Sequence, residues 1–220
     1  MPLVVWFSRL QPGTDTAVYA RFARDVDYPA ASRVPSIIRY RSHRIQGPCL
    51  GDAEPDYDYV ETAEITDIEA YRKDLEQHPA VQEVHGAFEQ YVRSVGNFRC
   101  DVLDDPSLPQ KGGEWMSVVF WFSRLQPGVD PAEYEKWVRE VDYVAAKQIA
   151  SLIRYRVHRI NGPCLGDTAA PYDYVEIAEV TDIDDYRRDL EQHPAAHAIG
   201  AEIGKYVQSV GNAWGVPLEE

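Results

Sequence analysis

The sequence predicts an α+β protein: two strand–helix–strand–strand–helix–strand units in one chain, packed sheet to sheet. Three observations lead there. The chain repeats itself, since WFSRLQPG occurs at Trp6 and again at Trp121, and RYRSHRIQGPCLGD from Arg39 returns as RYRVHRINGPCLGD from Arg154, 115 residues later. A period this long occurring twice marks a duplicated domain, whereas solenoids use shorter and more numerous units. Within each copy, β-branched and aromatic runs alternate with stretches of helical apolar periodicity. Two helices per unit cover only one face of an antiparallel sheet, and the second copy can cover the other face.

Each element follows from local sequence. LVVWFSRL, closed by a QPG turn, reads as the first strand. Asp130, Pro131 and Glu133 supply an N-cap, a first-turn proline and a capping-box acid; Tyr134, Trp137, Val138 and Val141 then follow at helical spacing. SIIRYRSHRI is the second strand and YDYVETAEI the third, joined by the loop that holds GPCLGD. Asp67 caps the next helix, which breaks at His78-Pro79 and restarts as AVQEVHGAFEQYVRSV, with Val81, Val84, Phe88, Tyr91 and Val95 on one side and Gly96 as its stop. FRCDVL and AWGVPL are short fourth strands. The order is ferredoxin-like. The units are expected over residues 1–103 and 117–220, with a Pro/Gly/Asp-rich linker over 104–116.

Composition narrows the partners. With 22 Lys+Arg against 36 Asp+Glu, a net charge of -14 and a pI near 4.8, the chain would repel a phosphate backbone or an anionic bilayer. Neither nucleic acid nor membrane is expected. Cys49, Cys100 and Cys164 are odd in number and too few for a disulfide framework, which suits a reducing cytoplasm. No signal-like start and no long apolar run is read. No ligand spacing points to a metal, and no cofactor is expected.

The βαββαβ plan, the EQHPA step in both copies and the strand-one start resemble the dimeric α/β-barrel superfamily, in which two such sheets pack face to face. RDVDY at Arg24–Tyr28 and REVDY at Arg139–Tyr143, with the WFSRL opening, resemble the REDY-like group, related to a protein of prodigiosin-type pigment pathways. Val26 and Val141 interrupt a contiguous Arg-Glu-Asp-Tyr. The superfamily implies a cavity between each sheet and its helices, of the kind used by small polyketide cyclases, lactone isomerases and cofactor-independent monooxygenases. The narrower group implies no settled chemistry.

Strand alternation puts Arg39, Arg41 and His43 on one face, and Arg154, Arg156 and His158 on the same face of the second copy. Buried guanidinium groups need carboxylates, and the third strands offer Glu61, Glu64, Glu176 and Glu179. Either an Arg–Glu lattice holds the halves in register, or Arg39 or Arg154 anchors a substrate oxygen. His43 and His158, held neutral by the arginines, are candidate acid–base groups or hydrogen-bonding core residues. The superfamily analogy lets Tyr28 and Tyr143 reach the cavity and donate to a developing oxyanion, with Asp27 and Asp142 orienting them; the alternative is packing with the hydroxyl at the surface. His78 and His193, each before proline, are catalytic candidates or partners for loose backbone groups. Trp6 and Trp121 are candidate substrate walls, whereas Tyr71 and Tyr186, about two helical turns before His78 and His193 on the same face, are weaker candidates or core. Cys49 and Cys164 lie near the histidines as thiol nucleophiles or as inert core. Because VQEVHGAFEQ in one copy faces AHAIGAEIGK in the other, the pockets should differ, notably at Phe88 against Ile203 and Glu89 against Gly204.

The expected function is a cofactor-independent enzyme, a cyclase, isomerase or lyase using His and Tyr on an aromatic or polyketide-like pathway intermediate. Rival readings are a cofactor-free monooxygenase of phenols, a non-catalytic small-molecule carrier and an assembly scaffold. The expected partner is a small-molecule substrate. The halves should close on each other as an intramolecular pseudo-dimer, with a homodimer of whole chains left open.

Overall fold

A computed structural model describes residues 2–103 and 116–218. The first half runs β1 (Pro2–Leu10), α1 (Thr16–Phe22), a π-helical segment (Ala23–Asp27), α2 (Tyr28–Ala31), β2 (Ile37–Gly47), β3 (Tyr59–Ile65), α3 (Ile68–Gln77), α4 (Pro79–Tyr91) and β4 (Val92–Val102). The second repeats it as β5 (Ser117–Leu125), α5 (Pro131–Trp137), a π-helical segment (Val138–Asp142), α6 (Tyr143–Ala146), β6 (Leu152–Ile160), β7 (Tyr174–Val180), α7 (Ile183–Gln192), α8 (Pro194–Ile203) and β8 (Val207–Pro217). Except for Met116, the expected linker lies outside the described residues. No helix among the described residues is long and apolar enough to cross a membrane.

Each half orders its strands β4-β1-β3-β2 or β8-β5-β7-β6, and antiparallel β2–β8 and β4–β6 pairs join them into a closed eight-stranded barrel. Closure leaves no free sheet edge. Alternation then divides every strand. Leu3, Val5 and Phe7 meet Val118, Phe120 and Phe122 inside the barrel, where eight strands leave about enough width for side chains to fill. Val4 and Trp6 point outward, against Tyr71 and Leu75 of α3.

The expected caps are present. Asp67 Oδ1 accepts from the Ala70 N–H at 2.8 Å, and Asp130 Oδ1 from that of Ala132 at 2.9 Å. Two elements depart from expectation. The last helix stops at Tyr91, and the rest of the expected helix is strand β4, paired to β1. Val95 is exposed at the point where the register slips, and Gly96 lies inside the strand rather than ending a helix. Ladder bonds to β1 outweigh a helical spacing that a few apolar residues satisfy by coincidence.

Helix one is not α throughout. The Tyr28 N–H bonds the Ala23 carbonyl and the Tyr143 N–H that of Val138, five residues back in each case. This inserted residue turns the face. Val26 and Val141, expected in the apolar stripe at least for the second copy, are 40% and 36% exposed, while Asp27 and Asp142 are 8% and 3% exposed.

Candidate active site

Between sheet and helices lies a cavity of about 700 Å³ in the first half and about 310 Å³ in the second. Phe88 and Glu89 line the first, Ile203 the second. Side-chain bulk runs both ways: Val81 and Phe88 of the larger cavity correspond to the smaller Ala196 and Ile203, and Val34 and Val84 to the larger Ile149 and Ile199.

The polar end of the first cavity is built by the π-helical segment and the middle of two strands. Asp27, Tyr40 and Glu61 all line it. Tyr40 donates its hydroxyl to Asp27 Oδ2 at 2.9 Å, and Tyr19, from α1, donates to Glu61 Oε1 at 3.1 Å. Burial, against the opposing bond from Tyr40, pushes the Asp27 carboxyl up to about 6. Burial and then the Asp27 charge push Glu61 up to about 8. Burial also holds Tyr19 and Tyr40 well above the usual phenol range, so both remain donors. Much of the remaining wall is apolar and aromatic, and His85, Glu89 and Arg93 also line the cavity. Trp6, which donates its indole N–H to the Tyr71 hydroxyl at 3.3 Å, lies opposite residues of α4 such as Val84 and Phe88.

The second cavity repeats the carboxyl pair more tightly. The Tyr155 hydroxyl is 2.9 Å from Asp142 Oδ2 and 2.8 Å from Glu176 Oε2, while Tyr134 donates to Glu176 Oε1 at 3.2 Å. A phenol carries one proton. Both Tyr155 contacts are hydrogen bonds only if one carboxyl is protonated and donates to the phenol oxygen. Burial accordingly raises both carboxyls, with the Glu176 charge adding to the effect on Asp142.

Each cavity borrows a wall from the other half. Leu165 of the second GPCLGD loop lines the first cavity, and Leu50 of the first loop lines the second. The loops are pinned across the barrel. Asn97 Oδ1 accepts from the Cys164 and Leu165 N–H groups at 2.8 and 2.9 Å, and Arg72 Nε donates to the Cys164 carbonyl at 2.7 Å. Asn212 and Arg187 hold Cys49 and Leu50 in the same way. The buried thiols are inert core: burial pushes Cys49 up to about 12 and Cys164 to about 11, against nearby arginines.

Of the residues singled out from sequence, Asp27, Trp6 and Tyr71 line the first helix-side cavity, and Asp142, Trp121 and Tyr186 the second. Tyr28 and Tyr143 line neither. The Tyr28 hydroxyl donates to the Leu218 carbonyl at 3.1 Å and accepts from the Ser42 N–H at 3.1 Å, and Tyr143 does the same with Leu103 at 2.7 Å and Val157 at 3.0 Å. They stitch each half to the end of the other. Asp27 and Asp142 therefore orient Tyr40 and Tyr155, not the adjacent tyrosines.

His43 and His158 also stand apart, facing a cavity of about 50 Å³ inside the barrel with Arg39, Arg41, Arg154 and Arg156. Burial drives His43 down to about 4 and His158 to about 3, and neighbouring arginines push the same way. His43 Nδ1 lies 3.0 Å from the Val60 carbonyl. Arg39 and Arg154 meet Glu64 and Glu179 rather than a helix-side cavity, with Arg154 3.4 Å from both carboxylates and Arg39 3.8 and 4.0 Å from them. His78 and His193 are helix N-caps, each accepting at Nδ1 from the N–H two residues on, at 3.2 Å.

Glu61 and Glu176, expected as partners of the arginines, instead line the helix-side cavities with Tyr40 and Tyr155, which sequence reasoning did not single out. The signal was available: Tyr59, Ala63 and Ile65 share a strand face with Glu61, a lone acid among apolar side chains.

The family model of the REDY-like protein HapK matches residues 2–102 and again residues 117–218. The chain belongs to the REDY-like HapK family. Both RDVDY and REVDY of this REDY-like chain carry the π-helical segments that aim Asp27 and Asp142 inward. HapK from Hahella chejuensis is 25% identical over 51% of this chain and 100% of its own, with a TM-score of 0.40. A mutant chlorite dismutase from Candidatus Nitrospira defluvii aligns over 99% of this chain and 92% of its own at 11% identity and a TM-score of 0.64. An anthrone oxidase-like protein aligns over 100% and 93% at 11% identity and a TM-score of 0.60. The last two likenesses place the fold among dimeric α+β barrels. No curated protein sequence matches the chain.

Proposed function

We propose that the first cavity is the active site of a proton-transfer enzyme acting on a neutral aromatic or polyketide-like small molecule, as a cyclase, isomerase or lyase. One observation carries this reading: two carboxyls at about 6 and about 8 share the polar end of a large apolar cavity. At pH 7 Asp27 is mostly a carboxylate and Glu61 mostly an acid, the split that a base and an acid require. Asp27 takes a proton from carbon or hydroxyl, Glu61 returns one to the oxygen where charge develops, and Trp6 and Phe88 hold the ring system. Carboxyls thus replace the expected His and Tyr pair.

Deuterium exchange at the α-carbon of 2-tetralone, followed by NMR, tests it. The native protein should accelerate exchange with a bell-shaped pH profile whose limbs fall near 6 and 8. Asp27→Asn should lower the rate at least tenfold, and Glu61→Gln should remove the alkaline limb. Exchange that survives Asp27→Asn unchanged rules the reading out.

The likeness to an anthrone oxidase-like protein favours a second reading, in which Asp27 deprotonates a phenol or enol whose anion then reacts with dioxygen. Oxygen uptake with anthrone, lost in Asp27→Asn, would distinguish it.

A further inference from the structure

We propose that the second cavity is a separate binding site, filled at the same time as the first, for a neutral one- or two-ring aromatic bearing an O–H or N–H donor. The inference is independent of the proton-transfer reading. Size comes first. An apolar cavity of ~150 Å³ accepts benzene. On that scale about 310 Å³ suits two fused rings, and about 700 Å³ suits a larger ring system.

The walls supply the rest of the recognition. Trp121, Tyr186 and Ile199 give flat and aliphatic contact, and Leu50 closes the mouth from the other half. Among the described residues lining this cavity there is no Lys, Arg or His, so a carboxylate or phosphate ligand would find no cation and two acidic side chains, Asp142 and Glu176. The internal bonds of the pair use Asp142 Oδ2 and both oxygens of Glu176, which leaves Asp142 Oδ1 to accept from a donor. Gly200 of α8 lines the cavity beside open space, since a Cβ added there would meet nothing within 4 Å, whereas the first copy carries His85 at this position.

Fluorescence titration of the full chain with 2-naphthol and with 1-hydroxypyrene tests the proposal. 2-Naphthol should saturate one more site per chain in the native protein than in Gly200→Trp, while 1-hydroxypyrene should bind once per chain in both. His85→Trp should weaken 1-hydroxypyrene at least tenfold and leave the Gly200-sensitive naphthol site intact. Equal naphthol stoichiometry in native and Gly200→Trp protein overturns the proposal, as does a second hydroxypyrene site. If Gly200→Trp does not fold, Ile203→Phe fills the same cavity and is read the same way. Absence of hydroxypyrene binding also overturns the proposal, which requires both cavities to fill; failure of 2-tetralone exchange with both sites intact would sink the proton-transfer reading alone.

Discussion

Glu61 is buried beside the Asp27 carboxyl, and its preference for the protonated form ties folding to pH. Its ordinary value of 4.5 rises to about 8 in the fold. Between these values the native state binds more protons than the unfolded chain, so its contribution is full below about 4.5 and is lost as pH rises through 8. Glu61→Gln, neutral at every pH, should therefore be more stable than the native protein at pH 9 by on the order of 2–4 kcal/mol, with the gain fading towards pH 5, as read by urea denaturation. His43 acts in the opposite sense. Lowered from 6.5 to about 4, it favours folding above pH 6.5 and loses that contribution as acid is added through 4. At this scale the sequence exposed Asp27, Trp6 and their second-copy equivalents because motif and aromatic character mark them. It hid the tyrosines' partners, since whether Asp27 meets Tyr28 or Tyr40 depends on a helical register that residue types do not display.

That register belongs to the π-helical segment, whose extra residue turns Asp27 inward and Val26 outward. Deleting Val26 should let the helix relax to α geometry and carry Asp27 off the cavity. The expected outcome is a folded protein, with native far-ultraviolet circular dichroism, that has lost at least tenfold in 2-tetralone exchange. The charged run RDVD gives no periodicity from which such an insertion could be read. The border between α4 and β4 was equally hidden, because Tyr91, Val92 and Val95 satisfy a helical stripe until pairing with β1 decides otherwise. The GPCLGD loops are a further case: sequence marked their turns, and the crossing to the opposite half emerged only with the barrel. Asn97→Ala would leave the N–H groups of Cys164 and Leu165 without their acceptor, at a cost of roughly 1–3 kcal/mol in thermal or denaturant unfolding. A change within experimental error would show that the loop is held elsewhere.

For the whole molecule, the repeat and the parity of the second strand were legible, and together they place Arg39 and Arg154 on the barrel side, where they meet Glu64 and Glu179 of both halves. Partly buried lattices of this kind fix geometry more than they add stability. Barrel closure by β2–β8 and β4–β6 could not be read from composition or spacing. It has a direct consequence for a chain cut to residues 1–103. Both outer strands would lose their partners, and β4 of a second copy offers β2 the same ladder that β8 does. Sedimentation should find that fragment dimeric at micromolar concentration, and a well-folded monomer would contradict the expectation. The tether between halves matters for change over generations as well. In an assembly of identical subunits one coding mutation alters every pocket at once, whereas here a replacement at Phe88 leaves Ile203 untouched, so one chamber is free to drift toward a new guest while its twin keeps the old one.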